Sequence, residues 1–129
     1  MDVFVYGTLT APDQVARVVD SYAFVGPARL HGLHIVEGRY PTLAPGGRAA
    51  GRLLRTDDLE RLDAHGGVDS GLYVRVSLPL IDGGEVAVYV GDPDRLDADA
   101  DWPGRGPFAD RVRGYLADAD VSVEPLVDR

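Results

Sequence analysis

The chain has 129 residues, 45% of them hydrophobic, which suits one core and one domain and excludes wholesale disorder. It contains no cysteine, so a disulfide scaffold, a thiol nucleophile and a thiolate metal site are all excluded. The formal net charge is −8, from 13 basic residues that are all arginine and 21 acids of which 17 are aspartate. Such a surface disfavours nucleic acid and anionic membranes as partners.

Taken in chain order, Asp2-Val3-Phe4-Val5-Tyr6 is short and apolar on both faces, the pattern of a strand buried on both sides. Gly7-Thr8 breaks it. Pro12 then opens a helix on which Val15, Val18, Val19 and Tyr22 recur at helical spacing. An extended stretch from Phe24 to Val36 follows, interrupted by Gly26-Pro27 and Gly32. Gly38 to Gly47, with Pro41 and Pro45, reads as a loop, and Ala50 to Leu54 as a strand. Thr56 or Asp57 can cap a short helix with Leu59 and Leu62 on its apolar side, Asp57 and Glu60 having capping-box spacing. Gly66-Gly67 ends that helix.

Leu72, Val74, Val76, Leu78 and Leu80 alternate along a strand. Asp82-Gly83-Gly84 turns it, and Val86, Val88 and Val90 alternate back, which predicts a hairpin. Residues 92–106 read as an acidic linker within a single domain of residues 1–129. A helix over 107–119 follows, with Phe108, Val112, Tyr115 and Leu116 on one face. The tail after Val121 is a short strand or frayed. The expected class is α+β, with antiparallel pairing through much of the sheet.

No apolar run approaches the roughly 18 residues of a membrane span. Asp2 stands where a signal peptide would be basic, so a cytoplasmic location is expected. The lysine-free, aspartate-rich composition resembles that of proteins from salt-loving microbes; codon bias in a GC-rich genome is the alternative.

Chemistry has few places to sit. A glycine directly after a buried strand lets backbone N–H groups turn toward a ligand, and such a nest at Tyr6-Gly7-Thr8-Leu9 favours an anionic group such as a carboxylate. An ordinary tight turn has the same spacing. No metal site is expected: His31 and His34 lie three apart in an extended segment, facing opposite sides, and no cysteine is available. His65 falls at a helix C-terminus, where a cation suits the dipole. Asp63 is placed to pair with Arg61 or Arg75, and Trp102 to anchor the acidic segment. No Gly-x-Ser-x-Gly elbow and no lysine-bearing phosphate loop is present.

Phe4-Val5-Tyr6-Gly7-Thr8-Leu9 resembles the first strand and loop of the gamma-glutamylcyclotransferase-like superfamily. In order, Arg29-Leu30-His31-Gly32, Tyr40-Pro41-Thr42-Leu43, Gly51-Arg52-Leu53-Leu54, Leu62-Asp63 with Gly67 and Leu72-Tyr73-Val74-Arg75-Val76, and Ala87-Val88-Tyr89-Val90 resemble further blocks of that family. The resemblance covers about residues 2–91. It implies a small, closed or nearly closed β-barrel with flanking helices, and a cavity that takes a small γ-glutamyl-like ligand. Members close the γ-glutamyl group to 5-oxoproline and release an amine, with no cofactor. Both monomers and homodimers occur. Carried over by position, Tyr6, Gly7, Thr8 and Leu9 hold substrate and Tyr73 lies near the cavity.

The family's acid/base glutamate falls at Gly66, which has no side chain. Three readings are open. A neighbour substitutes as the catalytic group, with Asp69, Glu37 and His65 as candidates. Alternatively the pocket is kept and its reaction lost or changed, or the fold serves as a non-catalytic ligand-binding or interaction module.

Overall fold

Strand β1 (Asp2–Val5) is buried along its whole length. Its alternation sends Phe4 into one apolar cluster and Val3 and Val5 into another. That is the arrangement its unbroken apolar run predicts. The chain is described here by a computed structural model covering residues 2–7, 12–65 and 67–126.

β1 lies inside a six-stranded mixed sheet ordered β4-β5-β1-β3-β2-β6. The partners are β2 (Ala23–Val36), β3 (Thr42–Arg55), β4 (Tyr73–Pro79), β5 (Glu85–Gly91) and β6 (Ser122–Pro125). Among the paired strands of the described residues, β1–β5 is parallel and the others are antiparallel. The sheet curls until its two edges approach, and Leu80 bridges to Val123 there. This is the α+β, largely antiparallel barrel with flanking helices that the sequence leads one to expect.

The inner cluster takes Phe4, Leu30, Leu53, Val88 and Trp102, and helix α4 (Phe108–Asp118) closes it with Val112. The outer cluster joins Val3, Val5 and Ala87 to Val15 and Val19 from α1 (Pro12–Val18) and beyond, and to Leu62 from α2 (Leu59–His65). Each sheet face is therefore covered by its own helices.

Two local expectations need correction. Residues 42–47 are not loop: they belong to β3, which pairs with β2 from Val36–Thr42 through to Ala23–Arg55. The strand accommodates Gly46 and Gly47, both with left-handed φ, in a bulge opposite Gly32. Pro45 sits at the edge of that bulge, where a missing N–H is tolerated. Helix α2 does not show the Asp57 capping box. The Thr56 hydroxyl instead donates to the Ser21 carbonyl and accepts from the Asp58 N–H, tying the start of α2 to the end of α1. Within residues 92–106, a short helix α3 (Pro93–Leu96) forms and Trp102 is buried.

Gly51 of β3 packs tightly against β1. A Cβ there would meet the Val5 carbonyl at 2.3 Å and the Phe4 ring at 2.6 Å. Gly51→Ala is therefore expected to destabilise the protein by about 1–3 kcal/mol, since neither the backbone nor a core ring can yield freely. Urea unfolding of the variant measures this, and an unchanged midpoint would contradict the close packing.

Candidate active site

A cavity of about 410 Å³ opens where β1 ends. Tyr6 comes from the end of β1, Leu62 and His65 from α2, Tyr73 from β4 and Tyr89 from β5, and Tyr40-Pro41 cover one side. The size suits a dipeptide-like molecule. Gly7 follows Tyr6 with φ of +70°, and a Cβ at Gly7 would press on the Pro41 ring at 3.1 Å. Glycine is thus required there both for backbone geometry and for the approach of the 40–41 segment.

Three tyrosine hydroxyls of the wall are held by protein acceptors. Tyr6 donates to the Tyr89 carbonyl at 2.5 Å, and Tyr73 to the Pro41 carbonyl at 2.5 Å. Tyr89 donates to Asp63 Oδ1 at 2.6 Å. Arg75 in turn donates from one guanidinium nitrogen to both Asp63 oxygens, at 2.9 and 3.1 Å. Arg75 stands directly opposite Tyr89 in the β4–β5 ladder, so both reach the same carboxylate from one sheet face.

Burial pushes the Tyr73 phenol up to about 12, with the neighbouring Tyr40 adding to the effect. Burial raises Tyr6 above the ordinary phenol value, Tyr73 raises it further, and the Thr42 hydroxyl opposes. Tyr89 is raised first by burial and then by its bond to Asp63 and the negative charge there, against the opposing Arg75. Each phenol keeps its proton to a higher pH folded than unfolded, so the native state binds more protons in alkali. Stability is accordingly expected to be constant in this respect below pH 10 and to fall as pH rises from 10 through 12. Denaturant midpoints across that range check the sign.

Of the residues suggested by sequence, Tyr6 and Tyr73 line the cavity, and Gly7 follows directly on Tyr6. Thr8, Leu9 and Gly66 lie outside the described residues. Asp69 is exposed in the 67–71 turn, Glu37 is exposed after β2, and neither lines the cavity. Among the three substitute candidates, His65 does. Asp63 pairs with Arg75 and does not itself line the cavity. Tyr89 and Tyr40 fall in family blocks read from the sequence but were given no role at the site there. The hairpin about Asp82-Gly83-Gly84 carries the signal for Tyr89, because it sets residue 75 opposite residue 89. No group of three or more His, Asp or Glu side chains able to hold a metal occurs among the described residues. Within those residues no helix is long and apolar enough to cross a membrane.

Comparison with known proteins agrees with the fold. The family profile described as "Gamma-glutamyl cyclotransferase, AIG2-like" matches residues 3–104. No curated protein matches by sequence. Among solved structures, a "Gamma-glutamyl cyclotransferase" superposes with a TM-score of 0.57 at 23% identity, covering 70% of this chain and 66% of the other. The uncharacterized protein loc79017 from Homo sapiens gives 0.59 at 24% identity, with the same 70% and 66% coverage. At5g39720.1 from Arabidopsis thaliana gives 0.56 at 29% identity over 88% of this chain and 81% of its own. The matched region thus spans just under two thirds of the length of the first two.

Proposed function

The chain belongs to the gamma-glutamyl cyclotransferase, AIG2-like family, and from that premise we propose that its tyrosine-walled cavity binds a small γ-glutamyl amine or γ-glutamyl amino acid. The reaction proposed for the bound ligand is lactam closure. Its α-amine attacks its own γ-carbonyl carbon, the new C–N bond forms, the γ-amide C–N bond breaks, and 5-oxoproline and an amine leave. The attack is intramolecular, so holding the chain folded supplies much of the rate advantage. One proton must leave the α-amine and one must reach the departing nitrogen.

The observation that carries the binding reading is the hollow of about 410 Å³ beside Tyr6 and Gly7, at the end of a first strand that matches the family pattern. His65, at its wall, supplies an imidazole as the candidate to relay those protons. The test is calorimetric titration of γ-glutamyl amino acids, with 5-oxoproline release followed in parallel, in concentrated salt to screen the acidic surface. Saturable binding with slow release is expected; failure of every γ-glutamyl compound to bind refutes the reading. No carboxylate lines the cavity among the described residues, and this favours a second reading, a ligand-binding module without turnover. Binding with no detectable 5-oxoproline distinguishes it.

A further inference from the structure

Acidic residues are spread along most of this chain but not over its long hairpin. Residues 23–55, which form β2, β3 and their connection, hold five of the 13 arginines (Arg29, Arg39, Arg48, Arg52 and Arg55) and one of the 21 acids, Glu37. Strand alternation gathers part of this excess on one face. Ala28, Leu30, Ala49, Leu53 and Val123 belong to the inner core, so Arg29, His31, Arg48, Ala50 and Glu124 point outward. Arg29 stands between Ala50 and Glu124, and His31 between Arg48 and Ser122. The bulge at Gly32 shifts the alternation and returns Leu33 to the core, so His34 shares the outer face with His31 rather than facing the other way. Helices α1 and α2 cover a different part of the outer surface, over Val3, Val5 and Leu54. Arg48, Ala50 and His34 are exposed. Glu124, the one acid among these sheet positions, is paired with His31 Nε2 at 2.9 Å. Arg55, Arg61 and Arg75 each hold an aspartate, whereas Arg29 and Arg48 form no ion pair among the described residues.

We infer that this outer face of β3, β2 and β6 docks an acidic, extended polypeptide segment of a partner protein. The inference is independent of the cavity and of any reaction there. Arg29 and Arg48 are diagonal neighbours on adjacent antiparallel strands, a relation that sets side chains roughly 7–8 Å apart. Side chains two residues apart in an extended peptide recur at roughly 6.5–7 Å. Two carboxylates at that spacing therefore meet the two guanidiniums in register, each pairing being a charge-assisted hydrogen bond. Ala50 lies beside both arginines and presents only a methyl, which leaves the guanidiniums uncovered. The surrounding charge decides the kind of partner. With net charge −8 overall and the acids lying outside the hairpin, a phosphate backbone that runs past the two arginines meets repulsion. A second copy brings the same net charge and the same basic face. A short acidic segment ends within the face and avoids both.

The experiment titrates the full chain with an alternating Glu-Thr octapeptide, following backbone amide resonances by NMR at an ionic strength of about 0.1 M, where the screening length is about 10 Å. The expected result is saturable binding with shifts confined to β2, β3 and β6. Affinity should exceed that of the matching Gln-Thr octapeptide, and of an oligothymidylate of the same length, at least tenfold. Arg48→Gln, at an exposed position, is expected to weaken the Glu-Thr peptide about tenfold. Arg29→Gln gives the same check on the neighbouring strand should the first variant unfold. Absence of binding by the Glu-Thr peptide overturns the inference, as do shifts centred on another surface or unchanged affinity in both folded variants. Equal or tighter binding of the oligothymidylate also overturns it, by assigning the face to phosphate. Sedimentation without peptide covers the remaining occupant: self-association that Arg48→Gln abolishes gives the face to a second copy and likewise sinks the inference.

Discussion

Gly66→Glu is expected to raise 5-oxoproline release from γ-glutamyl amino acids by roughly 10²–10⁴-fold, the ordinary contribution of a positioned general acid–base group. The expectation follows from what the cavity has and lacks. It has volume, a wall of hydroxyls and aromatic rings, and the strand-end glycine beside them. Among the described residues it has no lining carboxylate, and Asp63, the nearest one in the hydrogen-bond network, is held by Arg75 and Tyr89. The chain on either side of position 66 borders the site: His65 lines the cavity, and Gly67 approaches Leu72, which also lines it. Initial rates of 5-oxoproline formation at matched ligand saturation measure the effect. An unchanged rate with unchanged binding would show that a missing carboxylate is not what limits closure. Calorimetry on the same variant separates that result from a loss of affinity.

Trp102→Ala is expected to destabilise the fold by about 3–5 kcal/mol, the usual range for deleting a large buried ring. Trp102 is 1% exposed. Its ring meets those of Phe108 and Tyr115 edge to face, at centroid distances of 6.4 and 5.5 Å. Its indole N–H donates to the Leu43 carbonyl at 3.2 Å. The residue thereby joins the 92–106 segment and α4 to β3. Truncation to alanine leaves a cavity, removes two aromatic contacts and strips a buried carbonyl of that donor. Trp102→Phe keeps the ring packing and loses only the hydrogen bond and part of the volume, so its effect should be clearly smaller. Urea unfolding distinguishes the two. A near-neutral Trp102→Ala would mean that this segment does not contribute to the cooperative unit.

The sequence carried more of the strands than of their connections. Alternation over Leu72–Leu80 and Val86–Val90 about Asp82-Gly83-Gly84 is a local pattern, so the hairpin was legible. The doubly apolar run of β1 was legible for the same reason: its burial on both faces is written in adjacent residues. The region 42–47 was not. Pro45 and Gly46-Gly47 are strong local breakers, yet pairing with β2 overrides them through a bulge, and pairing is a long-range property. Trp102 as the anchor of residues 92–106 was legible, but its partners were not, because nothing local to it shows that its ring packs against Phe108 and Tyr115.

For the site the division is similar. The family blocks are readable without coordinates, and so is the expectation that a glycine, Gly66, falls at the family's glutamate position. So are Tyr6 and Tyr73, which fall inside those blocks. By contrast, which oxygen accepts each tyrosine proton depends on atoms far apart in the chain: Tyr6 and Tyr73 on backbone carbonyls, Tyr89 on a carboxylate from α2. Sequence alone therefore determined the class of fold and the blocks that border the cavity, because both are encoded by residue type and spacing. Only the tertiary structure decided which protein acceptor takes each tyrosine proton of the cavity wall, because the direction of a hydroxyl proton is set by the partner that folding brings within reach.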